Sequence, residues 1–179
     1  MRPTFVRSCL AATMLFVGSS LAQAQVTVTL PDTTQTTTLT ATVSPQARVT
    51  VPAGVNFNVA DITAATAASA AAVTITNIVT PTSSSQLRLA LQADAAAFTP
   101  PSAGTSWSAT DVSWAAGSWT NATGSAGTLS SASYNTIATC DANASACSTT
   151  GLVFTLGANS AVNRSGNHTL VVRWRLQAI

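Results

Sequence analysis

Apolar and polar residues alternate with a period of two along much of this chain. A two-residue period predicts β-strands with one buried face and one face in water. Proline residues fall between the runs, as strand interiors require. The alternating runs are "VTVTL" (26–30), "LTATV" (39–43), "RVTV" (48–51), "GVNFNVAD" (54–61), "VTITNIV" (73–79), "QLRLALQ" (86–92), "LVFTL" (152–156) and "HTLVVRWRL" (168–176).

Seven or eight short strands without a long helical pattern predict an all-β protein. We expect an antiparallel β-sandwich, immunoglobulin-like with Greek-key connections, and a closed β-barrel is the alternative. The alanine-rich stretch 63–73 favours one or two helical turns, because alanine has a high helix propensity. The polar stretch 102–150 predicts long loops with one or two embedded strands.

Two runs allow finer predictions. In the last run, Arg173 and Arg175 are predicted to face solvent as ordinary surface residues, and Trp174 to be buried. Asn77 breaks the alternation of its run, which predicts a bulge or a strand end there. The predicted inward row of the last run is Leu170, Val172, Trp174 and Leu176.

The first 24 residues have the features of a secretory signal peptide. Arg2 and Arg7 form a basic start, a short apolar stretch follows, and "AQA" (22–24) supplies small residues at a cleavage site. We expect cleavage after Ala24, with Ala22 as the alternative, which leaves 25–179 as one β-sandwich domain. The apolar stretch is too short to span a membrane. The sequence therefore predicts a secreted or cell-surface protein, with the periplasm as a further destination. The signal peptide resembles those of bacteria.

Cleavage changes the charge of the chain. The full sequence has seven arginines, five aspartates, no lysine and no glutamate. Two arginines lie in residues 1–24, so residues 25–179 carry five of each and a net charge of zero. Such a chain lacks the basic stripe that a phosphate backbone requires, and we expect no nucleic-acid partner.

Cys140 and Cys147 are the two cysteines that follow the predicted signal peptide. In an exported protein, a pair this close in sequence predicts a structural disulfide. A zinc site needs more ligands than His168 adds, and the spacing is not that of a redox motif. Residues 141–152 resemble the first half of a calcium loop but have Ala146 and Leu152 where glycine and glutamate are needed. We therefore expect no metal and no cofactor.

The sequence predicts that the protein is not an enzyme. His168 is the only histidine, and no nucleophile motif precedes it. Every aspartate lies near a turn signal, where capping and turn hydrogen bonds explain it. A hydrolase is accordingly the third hypothesis for the function, behind a structural protein and a binding module.

Three tryptophans, Trp107, Trp114 and Trp119, lie within thirteen positions. Among small polar residues they are candidates for a platform that stacks sugar rings, which would make the protein a carbohydrate-binding or adhesive module with a polysaccharide partner. The competing interpretation is that they belong to the core, because Val112 and Trp114 share a strand parity and tryptophan is usually well buried.

The closing segment "SGNHTLVVRWRLQAI" (165–179) and "VPAGVNFNVADI" (51–62) resemble strands of secreted bacterial β-sandwich proteins of the fimbrial-subunit and spore-coat type. The chain departs from their pattern at His168, where an aromatic residue is usual, and in its late, short disulfide loop. The resemblance implies the fold and a structural role at the cell surface or outside the cell, and it implies no binding residues.

The leading hypothesis is a non-catalytic secreted surface or extracellular structural protein, a pilus-like or matrix subunit. Cleavage after Ala24 leaves "QVTVTL" (25–30) as a short alternating strand, tethered by "PDTTQTTT" (31–38). Such a strand pairs either within its own domain or with the open edge of a neighbouring copy, and the second case predicts self-association.

Overall fold

The structure, a computed structural model, describes residues 25–179, and the regular elements of this part of the chain are strands. A single turn of 3-10 helix, Ala109–Asp111, is the one helical element there. The strands are β1 (Gln46–Thr50), β2 (Thr66–Ala67), β3 (Ala71–Val79), β4 (Leu87–Ala93), β5 (Val112–Trp114), β6 (Ala122–Gly124), β7 (Gly127–Thr128), β8 (Asn135–Cys140), β9 (Cys147–Leu152), β10 (Phe154–Leu156) and β11 (Val172–Ala178). The predicted signal peptide lies outside the described residues.

The strands form three antiparallel sheets, in the orders β1-β3-β9, β2-β10-β5-β7 and β11-β4-β8-β6. None of these sheets closes on itself, so the predicted all-β antiparallel class is confirmed and the architecture fits a β-sandwich rather than a barrel. Consecutive strands of the described chain never pair, and every connection runs from one sheet to another. Since sequential strands usually pair, this fold depends to an unusual degree on long-range contacts.

The core lies between the inward rows of these sheets. The largest fully buried side chains include Ile75 on β3, Leu89 and Leu91 on β4, Ile137 on β8 and Leu152 on β9. All five belong to one hydrophobic cluster. The same cluster contains Trp114 on β5 and Phe154 on β10, so all three sheets contribute to one core, as the packing of sheet faces in a sandwich requires.

Asn77 forms the predicted bulge in β3. The pairing of β1 with β3 moves from Gln46↔Val79 to Arg48↔Thr76, so β3 contains one more residue than its partner across this step. Asn77 has a φ of 53°, in the left-handed region that asparagine tolerates better than most residues. The broken alternation in the sequence therefore marked a real irregularity of the strand.

The register of β11 confirms the predicted facing of its side chains, with one correction. Val172, Trp174 and Leu176 pack against the core, while Arg173 and Arg175 are exposed. Trp174 is only half-buried, so the prediction of a fully buried ring was wrong. The reason is topological: β11 lies at the end of its sheet, with β4 on one side and no strand on the other.

Three predicted strands are absent. Residues 26–30, 39–43 and 55–59 form no strand, although the first two alternate without the break that β3 has at Asn77. Residues 25–41 belong to a unit separate from the compact unit Thr42–Ile179. A strand needs a ladder partner as well as an apolar row, and these segments have none among the described residues.

Two further predictions were wrong. The stretch 63–73 contains β2 and the start of β3 instead of helical turns, because pairing with β10 and β9 outweighs the helix propensity of alanine. The stretch 102–150 contains β5 to β8 and most of β9, more than the predicted one or two strands. Small residues such as Ala138 and Thr149 are buried there, and they give no strong apolar signal in the sequence.

Candidate functional site

The compact unit leaves the edge of β11 open. The strand pairs with β4 along seven residues, and its other edge has no partner in the described chain. On β4, flanked on both sides, Leu89 and Leu91 are buried, whereas the residues paired with them on β11, Leu176 and Trp174, are half-exposed. An open edge with an incompletely covered apolar row is a template for another strand.

A second open stretch is the extended segment 52–60, which follows β1. Val55, Phe57 and Val59 pack against the same hydrophobic cluster as β11. Their backbone nonetheless makes no main-chain hydrogen bond to any other described residue. The segment therefore has the side-chain pattern of a strand, and its N–H and C=O groups have no main-chain partner within 25–179 that would keep them from pairing with an incoming strand.

The segment 25–30 complements these open edges, because its alternating apolar side chains are exposed. Val26 and Leu30 are 61% and 83% exposed, and Val28 is exposed as well. The turn that follows is held by Asp32, whose carboxylate accepts hydrogen bonds from the hydroxyl and backbone N–H of Thr34. These bonds lower the pKa of Asp32, the hydroxyl bond being the larger cause. The segment thus ends at a defined turn and displays an alternating apolar row to solvent.

The predicted disulfide between Cys140 and Cys147 is present, with the Cα atoms 5.8 Å apart. Cys140 ends β8 and Cys147 begins β9, and the two strands belong to different sheets. Both cysteines are buried in the hydrophobic cluster. The bond therefore joins two sheets of the sandwich as well as closing a short loop.

Two of the three candidate platform tryptophans lie inside the fold. Trp107 and Trp114 are buried, and their indole N–H groups donate to the carbonyl oxygens of Gly157 and Ser125, both at 2.9 Å. Trp114 also packs edge-on against Phe154. Buried tryptophans with bonded N–H groups stabilise the core and present no ring face to a sugar.

Trp119 is half-buried and so is the one ring of the three with surface at the exterior. Its Nε1 atom is buried without a hydrogen-bond partner among the described residues. The backbone beside Trp119 is closely packed. Any residue larger than glycine at Gly124 would place its Cβ atom 1.8 Å from the Ala116 carbonyl oxygen. The three rings do not share one exposed face, so stacking of a sugar chain on all of them has no geometric basis here.

His168 forms hydrogen bonds between loops. Its Nδ1 atom lies 2.6 Å from Ser106 Oγ, and its Nε2 atom lies 2.9 Å from the carbonyl oxygen of Arg164. With Nε2 protonated, the ring donates to Arg164 and accepts from Ser106. No carboxylate bonds the ring among the described residues, and sequence reasoning missed Ser106 because it lies 62 positions away in the chain.

The described residues contain neither a cluster of metal-binding side chains nor a helix that could cross a membrane. Within 25–179 there is no group of three or more histidine, cysteine, aspartate or glutamate residues that could hold a metal ion. The same residues contain no helix of the length and apolar character that crossing a membrane requires.

Comparison with known proteins adds no relative from which a role could be inferred. Three features of the described residues bear on function: the open edge of β11, the segment 52–60 without main-chain partners and the exposed segment 25–30. No family model, no curated protein and no solved structure matches this chain.

Proposed function

We propose that this protein is a non-catalytic structural subunit of an extracellular or cell-surface assembly, exported through its signal peptide. Copies join when the segment 25–30 of one adds as a strand to an open edge of the next. The proposal is supported by two complementary features of one chain. The segment 25–30 has an alternating apolar row that is exposed, and the edge strand β11 has an apolar row that is only half-buried.

Strand addition uses both the unpaired main-chain groups and the exposed apolar side chains. The main chain of the incoming segment satisfies the N–H and C=O groups of an edge, and alternate side chains fill the spaces along it. Val26, Val28 and Leu30 lie on one row, and Thr27 and Thr29 lie on the other, so one face is apolar and the other suits water. The threonine-rich stretch that follows Pro31 provides the tether between donor and domain.

The energies involved are closely balanced. Full burial of an exposed valine or leucine contributes about 1.5–3 kcal/mol, and each main-chain hydrogen bond adds about 0.5–1.5 kcal/mol. Ordering the backbone costs about 1–2 kcal/mol per residue. Since gain and cost are of similar size over six residues, the fit of three apolar side chains decides the outcome, and one buried charge among them is enough to prevent pairing.

The contact has a direction, because the donor and the acceptor are different surfaces of the same chain. A head-to-tail contact of this kind does not close on itself unless the rotation between copies happens to form a ring, so it generates fibres. The low charge of the chain and the covalent link between two of its sheets suit a durable extracellular material.

The proposal is tested with the chain that begins at Gln25. We expect this chain to assemble in sedimentation velocity and to form filaments in electron microscopy. Deleting residues 25–30 removes the donor, so the truncated protein is expected to stay a folded monomer. Assembly of the truncated protein, or a full chain that remains monomeric at high concentration, would contradict the proposal.

A matched pair of substitutions sharpens the test. Val28→Asp places a charge in the apolar row and is expected to abolish assembly. Thr29→Asp places the same charge one residue further on the opposite row, where it faces water, and is expected to leave assembly intact. Equal effects of the two substitutions would show that charge, and not strand insertion, controls association.

A further inference from the structure

The outer face of the β11-β4-β8-β6 sheet, the face directed away from the core, concentrates positive charge. Arg173 and Arg175 on β11 and Arg88 on β4 project from it, because each lies on the polar row of its strand. They are three of the five arginines in residues 25–179. Of the five aspartates, Asp94 is paired with Arg173 on this face, and Asp141 lies two residues after Thr139, the residue of β8 that pairs with Arg88. Three arginines therefore share this face with two aspartates.

Arg173 is already neutralised by the protein. Its Nε and Nη2 atoms both donate to the carboxylate of Asp94, the latter at 3.1 Å. This hydrogen bonding, together with the nearby negative charge, raises the pKa of Arg173. A two-pronged contact with a carboxylate satisfies a guanidinium group well, so Arg173 needs no further partner.

Arg88 and Arg175 have no such partner. Neither guanidinium group makes a hydrogen bond to any residue that the structure describes, and the contact of Arg175 is with the ring of Tyr134, 4.3 Å from the centroid. Arg88 pairs with Gln177, and Arg175 lies two residues before Gln177. The two arginines are therefore diagonal neighbours on one face, where like charges repel, and neither forms an ion pair with a described residue.

The surroundings of this pair are polar and shallow. Gln92 lies on the same face as Arg88 and Arg175, directly opposite Arg173. Beside them is a concavity of about 260 Å³, lined by Gln92, Asp94, Ser131, Tyr134 and Arg173. It is smaller and more open than the clefts that enclose a drug-sized molecule, so the face suits an extended chain laid across it.

We propose that this outer face binds a carboxylated polysaccharide, whose carboxylates accept hydrogen bonds from Arg88 and Arg175. Guanidinium groups match carboxylates with two parallel hydrogen bonds, and the neighbouring amides and hydroxyls suit the hydroxyl groups of a sugar chain. Two arginines without an ion-pair partner are too few for the phosphate contacts that hold a nucleic acid, and the chain as a whole is neutral from residue 25 onward.

A second copy of this chain is a poor occupant of the face, because most of its carboxylates are engaged. Four of the five accept hydrogen bonds from their own chain: Asp32, Asp61, Asp94 and Asp111. Asp141 alone has a side chain without a hydrogen bond among the described residues. An external source of carboxylates fits better. Arg175 lies on β11, whose edge we propose for assembly, but its side chain projects from the outer face of the sheet, whereas strand addition uses the main-chain groups of the edge.

The test measures binding of the chain that begins at Gln25 to polygalacturonate, with pullulan as the neutral polymer, by isothermal titration calorimetry. We expect binding to polygalacturonate that weakens as salt is raised from about 50 to 200 mM, since exposed charges are screened. Pullulan is expected not to bind. The absence of binding to polygalacturonate, or equal binding to pullulan, would overturn the proposal.

Three single substitutions each remove one positive charge from a strand: Arg88→Gln, Arg175→Gln and Arg48→Gln. The first two are expected to weaken binding about tenfold each, the range of one charged hydrogen bond. Arg48→Gln, on β1 in another sheet, is expected to change it less than about twofold by the same reasoning. Equal losses in all three would reduce the effect to net charge and overturn the site.

Arg175→Lys keeps the charge and removes the planar fork, so an intermediate affinity is expected. An affinity for Arg175→Lys equal to that of the unsubstituted chain contradicts the two-pronged contact. Thermal melting of each variant shows whether it is folded, and a variant that melts far below the parent is replaced by Arg→Met at the same position. Equally tight binding of DNA or inorganic polyphosphate at about 150 mM salt would contradict recognition of carboxylates.

Discussion

Two segments of this protein have nearly the same sequence pattern and opposite structures. "VTVTL" (26–30) is exposed and forms no strand, whereas "VTITNIV" (73–79) lies in the nine-residue strand β3. Val73 and Ile75 are completely buried, at 0% exposure, while Val26 and Leu30 rank among the most exposed apolar residues of the described chain. The difference does not arise from the residues, because both segments begin with β-branched apolar residues that alternate with threonine.

The difference arises from the neighbours of each segment. β3 has β1 on one side and β9 on the other, so its main chain is paired along both edges. No described residue pairs with 26–30. An alternating pattern indicates that a segment can bury its row of apolar side chains, but it does so only when a partner strand is present. For 26–30 we propose that this partner is another copy of the chain.

The largest effect expected from this comparison is the contrast between the two segments themselves. Ile75→Ala is expected to lower the free energy of unfolding by about 2–5 kcal/mol, because it leaves a cavity in the core. Val28→Ala is expected to change it by less than about 0.5 kcal/mol in dispersed protein, since the side chain is exposed. Urea denaturation measures both, and a similar loss in both variants would break the comparison.

The disulfide provides the next largest effect, inside the paired region. Reducing Cys140–Cys147, which are seven positions apart, is expected to lower the free energy of unfolding by about 2.5 kcal/mol and to leave the domain folded. Differential scanning calorimetry with and without reductant measures this loss. Intact-mass analysis that finds two alkylatable thiols before reduction would show that the staple does not form.

Trp174 is intermediate between the two segments, because its strand is paired along one edge only. Trp174→Ala is expected to cost about 2 kcal/mol in dispersed protein, roughly half of the loss for a fully buried tryptophan. In assembled protein the cost is expected to be larger, since an added strand covers the ring. Equal costs in the two states, measured by urea denaturation, would show that β11 is not the edge that receives the strand.

The smallest effect concerns the polar row of the same strand. Arg175→Ala is expected to cost about 0.5–1 kcal/mol because it removes the contact with the Tyr134 ring, more than an ordinary surface residue would lose. A double-mutant cycle with Tyr134→Leu isolates that contact, and a coupling energy of zero would return Arg175 to the role of a plain surface residue, as the sequence predicts.

Strand positions were predicted best from the sequence where a strand alternates and also pairs with another strand of the same chain. β3, β4 and β11 were located from their apolar rows, and even the bulge at Asn77 was visible as a break in the alternation. Prediction from the alternation failed in two opposite ways. Residues 26–30 alternate without a partner, and β8 and β9 are built partly from small and polar residues, such as Ala138 and Thr149, whose burial no periodicity announces.

The candidate sites were less accessible to sequence reasoning, for a related reason. That Arg88 and Arg175 each face outward was readable from parity. Their position as diagonal neighbours depends on the pairing of β4 with β11, and these strands are separated by 78 residues of the chain. The burial of Trp107 and Trp114 likewise depends on backbone carbonyls that tertiary folding brings to them.

The central claim, that 25–30 becomes a strand only in the presence of a second copy, is tested most directly by amide hydrogen exchange of these residues. In dispersed protein we expect the amides of Val26, Val28 and Leu30 to exchange as fast as in an unfolded peptide. In assembled protein we expect them to be protected as strongly as those of β3. Protection of these amides in the dispersed monomer, or fast exchange in the assembly, would contradict the account.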